Sequence, residues 1–586
     1  MTTSPVTDQF TFVGRYEDDE RLADLVGPGC PFEVETVEID GVPVRSFAHA
    51  PATLVDLFEM AAAHDDKIYL VLDDARLTYG EIRRQAAGLS RALRDVHGVK
   101  PGDRVAVAMR NLPEFVTTLW AAALSGAIFV PLNAWWQGPE LARALDEARP
   151  SVVIADSERA DRLRTTGYEL SPMITVGAGA SDEHAFDVLT SHPPLTRDDY
   201  AVPAPDDPNA ILFTSGTTGN PKGVVTTHRG TIANIWNMMF MPVRDMTLNG
   251  GLPTATASSG QRSGILTTPL FHIGGLAAVL GAAISGAKTV LLRRWDVDEA
   301  MRIVADENVT GLGGVPTIAR EMLEHPRIRH FADQIATFTM GAASVPPDLP
   351  RLVHDVLGEQ TQLFNGYGST ETTSSVISNV GAEYASRRDS VGRLNMTAEL
   401  RVERIGGGFV GAGELGQLCI RSPQTTRGYW NNPDATADAF VDGWFRTGDL
   451  GYIDEAGFVY VVDRVKDVII RGGENVYCAE VEGVLFEHPS VTDVAVVGIA
   501  DPTMGELVCA VVIPRAGACP ELSQLREFAG ARLAAFKCPE AMYVTDDVPR
   551  TATGKIAKKE LKKKVDADLA AVERSREPSR APNRRN

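Results

Sequence analysis

Residues 214–223, which read Thr-Ser-Gly-Thr-Thr-Gly-Asn-Pro-Lys-Gly, constrain the fold more than any other part of this sequence. Small residues in succession allow backbone N–H groups to converge on an anion, and Lys222 adds a mobile positive charge. In a P-loop the lysine is followed by Ser or Thr, and a helix begins there. Here Gly223 and the strand-like pair Val224 and Val225 follow. The sequence therefore predicts an ATP-handling loop between two strands; a plain Gly/Thr hairpin is the alternative.

Length and composition narrow the class of protein. A chain of 586 residues is too long for one core and indicates two or three bodies. Its hydrophobic and charged fractions, 44% and 23%, are those of an ordinary globular protein. The formal net charge of −20 disfavours a nucleic-acid-binding surface, so we expect no nucleic-acid partner.

The cysteines and the apolar segments indicate the compartment. The six cysteines include no CxxC pair and no metal-ligand spacing, so we expect thiols in a reducing compartment, by default the cytoplasm. The N-terminus shows no signal-peptide pattern. Residues 273–287 are the most membrane-like stretch but fall short of the ~18 to 20 residues of a spanning helix. They predict a buried helix, and we expect no transmembrane segment.

Helical and strand-like patterns alternate along the chain from about residue 50. A capping box from Thr78 to Glu81 predicts a helix, and residues 105–109 predict a strand. Such alternation implies βαβ units and largely parallel sheets, so the predicted fold class is α/β. Beyond residue 464 the pattern predicts a small, separate α+β domain. Residues 1–50 are predicted to be an extension on the surface, and residues 566–586 a basic, disordered tail.

Five short sequence motifs follow one another along the chain. They are residues 214–223, Asn-Gly-Tyr-Gly-Ser-Thr-Glu at 365–371, Gly-Trp-Phe-Arg-Thr-Gly-Asp at 443–449, Asp-Arg-Val-Lys-Asp at 463–467 and Pro-Arg-Thr-Ala-Thr-Gly-Lys at 549–555. Together they resemble the adenylate-forming superfamily, which includes acyl-CoA synthetases, firefly luciferase and the adenylation domains of nonribosomal peptide synthetases. The resemblance implies an adenylate-forming N-terminal domain at 51–463 with an additional β subdomain, and a mobile C-terminal domain at 464–565.

The residue chemistry within these strings suits MgATP. Tyr367 offers an aromatic face for adenine. Glu371 is a hard oxygen ligand beside the hydroxyl of Thr370 and suits Mg²⁺. Asp449 fits a ribose diol, and Arg464 the same sugar or the phosphates; outside these strings, such carboxylates would more often be surface residues. The predicted ATP-binding residues are Thr214, Ser215, Gly216, Thr217, Thr218, Gly219, Lys222, Asn365, Gly366, Tyr367, Gly368, Asp449 and Arg464.

The resemblance also assigns roles in catalysis. Lys555 would contact the carboxylate and the α-phosphate, offsetting the charge that accumulates when one anion attacks another. Lys466 aligns with the residue about which the C-terminal domain rotates between half-reactions. Gly472 and Gly473 resemble the turn that borders the pantetheine tunnel of CoA-using members. The predicted catalytic residues are Lys555, Glu371, Thr370 and His272.

The acid pocket is expected to be lined by small and apolar residues, which disfavour an acid with a charged tail. Its predicted residues are His272, Gly274, Gly275, Gly341, Ala342, Asn365 and Gly366. An ionised carboxylate needs no general base, so His272 is expected to gate or line the pocket; an inert core histidine is the alternative. Ala342 stands where the family frequently has glycine, and Ser369 where a larger apolar residue is common, which weakens any inference of chain length by analogy.

One further segment matches a nucleotide-binding pattern but lacks the helix that such a site requires. Residues 411–416, Gly-Ala-Gly-Glu-Leu-Gly, match the dinucleotide-binding pattern but precede a strand-like stretch and no helix. We interpret them as a hairpin turn.

The resulting hypothesis is an ATP-dependent carboxylic acid–CoA ligase acting through an acyl-adenylate on a medium- or long-chain fatty acid or a similar hydrophobic acid. Aryl acids are an alternative substrate class, and a stand-alone enzyme that loads a carrier protein is an alternative activity. A luciferase-like enzyme and a nucleotide sensor without turnover are more distant; the sensor is disfavoured by Lys555, Glu371 and Asp449 occurring together. No Asp stands at His272 to pair with a substrate ammonium, which disfavours amino acids. A homodimer stays open.

Overall fold

The computed structural model describes residues 10–169, 171–177, 185–214, 221–249, 260–404, 406–551 and 556–576. The chain divides into two compact units. Unit 1 comprises the residues up to Thr447 together with Gly451–Val461. Unit 2 comprises Gly448–Leu450 and the residues from Val462 onward.

The helices and strands follow one another in three stretches. Up to residue 200 they are β1 (Phe12–Val13), α1 (Ala23–Val26), β2 (Val34–Ile39), β3 (Val42–Phe47), α2 (Leu54–Met60), β4 (Ile68–Leu72), β5 (Ala75–Thr78), α3 (Tyr79–Asp95), β6 (Arg104–Ala108), α4 (Pro113–Leu124), β7 (Ile128–Pro131), α5 (Gly138–Ala148), β8 (Val152–Asp156), α6 (Ser157–Arg164), β9 (Met173–Val176) and α7 (Phe186–Thr190). Up to residue 390 they are β10 (Pro208–Thr214), β11 (Lys222–Thr227), α8 (His228–Asn249), β12 (Ser263–Leu266), α9 (Ile273–Ser285), β13 (Lys288–Leu291), α10 (Val297–Asp306), β14 (Gly311–Gly314), α11 (Pro316–Glu324), β15 (Thr337–Gly341), α12 (Asp348–Leu357), β16 (Gln362–Ser369), β17 (Ser374–Val380) and α13 (Gly381–Ser386). The last are β18 (Arg393–Leu394), β19 (Glu399–Glu403), β20 (Phe409–Val410), β21 (Gly416–Arg421), α14 (Pro433–Ala439), β22 (Phe440–Val441), β23 (Trp444–Ile453), β24 (Val459–Arg464), β25 (Ile469–Arg471), β26 (Glu474–Val476), α15 (Cys478–Phe486), β27 (Val491–Asp501), β28 (Gly505–Pro514), α16 (Leu522–Gly530), β29 (Ala541–Val544) and α17 (Lys558–Arg576).

Two largely parallel sheets form the body of unit 1, which confirms the α/β fold class. A six-stranded sheet has the order β11-β10-β7-β6-β8-β9 and is parallel except between β10 and β11. A nine-stranded sheet has the order β18-β17-β16-β15-β14-β12-β13-β4-β5, and its strands from β16 to β4 run parallel. The largest apolar core draws side chains from both sheets and from helices α3, α4, α8 and α9.

Two local predictions in unit 1, a helix that starts at a capping box and a buried apolar helix, are confirmed. The capping box from Thr78 to Glu81 starts α3, with each side chain accepting the other residue's backbone N–H. Helix α9 is apolar and largely buried, as expected for residues 273–287. No helix among the described residues has both the length and the apolarity to cross a bilayer.

An antiparallel arrangement around β19 accounts for the expected β subdomain of unit 1. β19 pairs with β1 and β20 and also with β21. Residues 411–415 connect β20 to β21, and Gly416 is the first residue of β21, so the segment 411–416 does not open a helix. They are not a hairpin turn either, because β20 and β21 each pair with β19 and not with each other.

The N-terminal residues of unit 1 differ from the expected surface extension. Tyr16, Leu22, Phe32 and Phe47 are buried in the main core, and the rings of Phe32 and Tyr16 each lie 5.2 Å from that of Phe240. The described part of residues 1–50 is therefore built into unit 1. Alternating acidic and apolar residues concealed this, because the buried side chains are widely spaced in sequence.

Unit 2 is an α+β body. Its sheet has the order β26-β25-β28-β27, with β29 parallel to β28. One core lies under α15 and α16, and a second contains Leu561 and Val565 of α17. Helix α17 continues to Arg576, into the segment 566–586 that the sequence predicts as a disordered tail.

Candidate active site

The predicted acid and adenine residues of unit 1 lie where neighbouring parallel strands end. β12, β14, β15 and β16 are adjacent and parallel. Gly341 ends β15 and pairs with Gly366 of β16, and His272 follows β12 at the start of α9. Ligands of open α/β sheets bind at this carboxyl edge. The fold therefore brings these sequence-predicted residues to one suitable edge.

Main-chain packing is tight at this edge. A Cβ atom on Gly368 would lie 1.9 Å from the carbonyl oxygen of Ser374, and one on Gly275 would lie 2.2 Å from that of Pro269. Ala342 has a φ of 61°, in the left-handed region. A side chain there costs about 1 to 2 kcal/mol, which is a physical reason to expect glycine at this position.

Tyr367 lies in β16 at an irregularity in its pairing with β17. The register shifts between Tyr367 and Gly368. The half-buried Tyr367 ring packs against the core around β19. A bulge of this kind re-aims side chains at the end of a strand. The role of this ring as an adenine platform stays a prediction.

Glu371 lies in a 3-10 turn, Thr370–Thr372, directly after β16. Its Oε1 accepts a hydrogen bond of 3.0 Å from the Tyr429 hydroxyl, and its carbonyl oxygen accepts one of 2.9 Å from the Thr426 N–H. Burial, and then the negative charge of Glu371, raise the pKa of Tyr429 above its usual range. The tyrosine is therefore a protonated donor to the carboxylate at neutral pH.

The phosphate-loop string connects β10 to β11, as predicted, and these strands pair with Thr214 opposite Lys222. Residues Ser215, Gly216, Thr217, Thr218 and Gly219 lie outside the described residues. The Lys222 ammonium lies 4.6 Å from the centre of the Tyr429 ring. The two strand ends are thus in place for a loop between antiparallel strands, in contrast to a P-loop.

His272 caps helix α9. Its Nδ1 accepts a hydrogen bond of 3.2 Å from the Gly274 N–H. The segment before it is held by Asn111, whose Oδ1 accepts the Leu270 N–H at 2.8 Å. The structure thus gives His272 a capping function, and its role in gating the acid stays a prediction.

Sequence reasoning missed Tyr429 and Gln424. Gln424 is fully buried, and its amide nitrogen donates to the carbonyl oxygens of Thr372 and Ser375 at 3.3 and 2.9 Å. Both residues act across more than forty positions of sequence. The Gly-Tyr-Trp run at 428–430 was the available signal, but a glycine before two aromatics does not indicate a partner.

The remaining predicted residues belong to unit 2. Asp449 Oδ1 lies 3.3 Å from Arg464 Nε, and the Val465 N–H donates to Gly448 O at 2.9 Å. Residues Gly448–Leu450 group with unit 2 by their contacts, whereas the sequence predicts the domain boundary between residues 463 and 464. The side chain of Lys466 is exposed. Asp449 and Arg464, which the sequence analysis assigns to the ribose, therefore lie close to each other.

The turn that follows is a two-residue hairpin. Arg471 of β25 pairs with Glu474 of β26, and Gly472 and Gly473 between them have φ of 58° and 89°. Both positive angles are those of a type I′ turn, for which Gly-Gly is well suited. The hairpin explains both glycines, and a part in CoA binding stays a prediction.

Lys555 lies outside the described residues, but both ends of its segment are anchored. Arg550 forms a β-bridge with Ile556 and an ion pair with Asp493. Lys558 Nζ lies 2.7 Å from Glu482 Oε1. The chain on either side of Lys555 is thus tied to unit 2 by charged side chains.

Family models match both parts of the chain. The model of the AMP-binding enzyme matches residues 57–430, and that of the AMP-binding enzyme C-terminal domain matches residues 480–555. The chain therefore belongs to the AMP-binding enzyme family, the adenylate-forming superfamily.

Curated proteins that are similar to this chain indicate its branch within the superfamily. A feruloyl-CoA synthase of Amycolatopsis is 35% identical over 491 residues, covering 83% of this chain and 94% of the relative. A long-chain-fatty-acid–CoA ligase of Mycobacterium tuberculosis is 33% identical over 501 residues, covering 85% and 94%. An indoleacetate–CoA ligase of Aromatoleum aromaticum is 34% identical and covers 83% and 93%. These similarities confirm the predicted branch, the AMP-forming acyl-CoA synthetases.

Similar solved structures also belong to adenylate-forming enzymes. The o-succinylbenzoate CoA synthetase of Bacillus subtilis in complex with its acyl-adenylate is 27% identical, with a TM-score of 0.72 over 86% of this chain and 97% of that one. ATP-bound MatB from Rhodopseudomonas palustris is 27% identical, with a TM-score of 0.76 over 87% and 99%. ATP and CoA fit this family as substrates.

Proposed function

We propose that this enzyme converts a hydrophobic carboxylic acid, ATP and CoA into acyl-CoA, AMP and pyrophosphate, with a medium- or long-chain fatty acid as the leading substrate class. The observation that carries the proposal is the set of small, uncharged residues on the neighbouring strands β15 and β16, where Gly341, the last residue of β15, pairs with Gly366. None of these residues carries a charge that would disfavour an apolar tail, and burying each CH₂ of such a tail contributes about 0.8 kcal/mol.

In the first half-reaction a carboxylate oxygen of the acid attacks the α-phosphorus of ATP, and pyrophosphate leaves. Lys555 and Lys222 would offset the negative charge that accumulates between the two anions. Tyr367 would stack on adenine, and Asp449 with Arg464 would hold the ribose. The acyl-adenylate forms without a general base, because the acid is already ionised.

Mg²⁺ fits the residues near the phosphate loop. Glu371 and Thr370 offer hard oxygen atoms, and one carboxylate oxygen of Glu371 is not the acceptor of the Tyr429 hydrogen bond. Among the described residues no group of three His, Cys, Asp or Glu side chains could hold a metal ion, so phosphate oxygens would have to complete the coordination. When bound, Mg²⁺ supplies positive charge to the phosphates.

In the second half-reaction the CoA thiolate attacks the carbonyl carbon of the adenylate, and AMP leaves. Rotation about Lys466 would withdraw Lys555 and bring the hairpin of Gly472 and Gly473 to the CoA thiol. The proposed domain limits follow: an adenylating domain up to about residue 463 and a mobile domain from there to about 565. A homodimer and a cytoplasmic location belong to the same proposal, and a carrier protein in place of CoA is the alternative acceptor.

An aryl acid is the second candidate, favoured by the feruloyl and indoleacetate relatives at 35% and 34% identity. The experiment is acid-dependent ATP–pyrophosphate exchange with linear acids of increasing length, benzoates and cinnamates, repeated with CoA and scored for thioester. A several-fold rise in kcat/KM per added carbon up to a plateau supports the fatty-acid substrate. A flat series with cinnamate or benzoate as the best acid assigns the aryl substrate and leaves adenylation unchanged.

A further inference from the structure

Tyr429 occupies a short segment that runs beside the phosphate-loop strand of unit 1. The Val225 N–H donates to Gly428 O at 3.0 Å, and the Trp430 N–H donates to Gly223 O at 2.6 Å. Val224 and Tyr429 form an antiparallel β-bridge. The backbone of Tyr429 is therefore fixed against β11, the strand that begins with Lys222.

The side chain of Tyr429 reaches two predicted ATP motifs at once. Its hydroxyl donates to Glu371 Oε1 at 3.0 Å, and its ring face lies 4.6 Å from the Lys222 ammonium. The ring also packs edge-on against Phe440, 5.9 Å between centres, which limits its movement. One rigid aromatic residue thus contacts the cation of one motif and the carboxylate of the other.

We propose that Tyr429 is a positioning residue for MgATP: its hydroxyl fixes the Glu371 carboxylate for the metal ion, and its ring holds Lys222 at the end of the phosphate loop. This inference rests on the proposed function, in which Glu371 serves Mg²⁺. A carboxylate held by a hydrogen bond from an outer residue loses less rotational freedom when it binds a metal. A cation over an aromatic face is likewise held without neutralising its charge.

The two contacts can be separated by substitution. Tyr429→Phe keeps the ring over Lys222 and removes the hydroxyl, whereas Tyr429→Leu removes both. The measurement is calorimetric binding of ATP to the full chain, without any acid, once with excess Mg²⁺ and once with EDTA. The ratio of the two dissociation constants reports the contribution of the metal and needs no turnover.

For Tyr429→Phe we expect this ratio to fall about ten-fold while binding of ATP in EDTA stays as in the wild type. Tyr429→Leu should also weaken ATP in EDTA several-fold, because Lys222 loses its aromatic contact. Glu371→Gln should remove most of the metal contribution, and adding Tyr429→Phe to it should change little more.

Tyr384→Phe is the matched control. Tyr384 is fully buried, and its hydroxyl has no hydrogen-bond partner among the described residues. This variant should bind ATP as the wild type does under both conditions. An unchanged ratio in Tyr429→Phe, or equal weakening with and without Mg²⁺, would overturn the positioning role. Wild-type protein that binds MgATP but shows no acid-dependent exchange would instead overturn the proposed function alone.

Discussion

The two units hold their predicted site residues by different means. In unit 1 the residues at the strand ends are placed by sheet register and by close main-chain packing, as at Gly341 opposite Gly366. In unit 2 the chain around Lys555 is held by side-chain charges: Arg550 with Asp493, and Lys558 with Glu482. Unit 1 should therefore be most sensitive to an added side-chain atom, and unit 2 to a removed charge.

The difference follows from what each unit is proposed to do. A nucleotide pocket at a sheet edge benefits from rigid backbone, because donors fixed in advance need no reorganisation. A residue delivered by a mobile domain must be held within that domain, and long charged side chains add to the single β-bridge that closes the segment around Lys555. The following substitutions test whether the two units differ in this way.

The largest effect is expected for Lys555→Ala. The attack of a carboxylate on a phosphate needs a cation, so adenylate formation should fall at least about 10²- to 10³-fold. Attack of the thiolate on a supplied acyl-adenylate should be largely retained, because that carbonyl is uncharged. Single-turnover assays of each half-reaction measure both; equal loss in the two would refute the assignment of Lys555.

Glu482→Ala should destabilise unit 2 by about 3 kcal/mol, because it leaves Lys558 without its partner in a site where each side chain is only 21% exposed. Denaturant unfolding of the full chain measures the shift. Glu487→Ala is the control, since Glu487 and Arg532 are 52% and 43% exposed and 3.9 Å apart, and such pairs contribute little. Similar shifts in the free energy of unfolding of both variants would contradict the inference that ion pairs hold the chain around Lys555.

Gly368→Ala tests the main-chain packing of unit 1. The new Cβ would lie 1.9 Å from Ser374 O, so the strand end must move, at a cost of about 2 kcal/mol. Gly264→Ala in β12 is the control, because its Cβ would meet the nearest atom at 3.6 Å. The unfolding temperature and the affinity for ATP should both fall in Gly368→Ala and stay at the wild-type values in Gly264→Ala. Wild-type behaviour of Gly368→Ala would show that this edge is not rigid.

Mild acid should weaken unit 1 through His228. Burial lowers the pKa of His228 from 6.5 to about 4, and its Nδ1 accepts the Leu54 N–H at 3.1 Å at the start of α2. The unfolded chain takes up this proton near pH 6.5 and the folded chain only near pH 4, so stability is lost as the pH falls through that window. The loss between pH 7 and 5.5 is about 1 kcal/mol.

His228→Asn, which offers an acceptor that does not titrate, should flatten this part of the pH profile of unfolding. A profile as steep as that of the wild type would place the acid sensitivity elsewhere.

Sequence reasoning succeeded where the signal was local. The capping box at Thr78 starts α3 because both partners lie within one helical turn. It failed where contacts cross the chain: the partner of Glu371 is 58 residues away, and that of Arg550 is 57 residues away.

The backbone angle of Ala342 has a practical consequence for engineering. Replacing its methyl group by hydrogen would relieve a conformation that costs about 1 to 2 kcal/mol, more than the ~0.4 to 1 kcal/mol lost to the freer unfolded chain, and so raise thermal stability. The same change would enlarge the side of the pocket where the acid tail is proposed to lie. A selection for heat-resistant variants would thus enrich a substitution that also broadens the substrate range, and each stabilised clone needs its acid preference measured again.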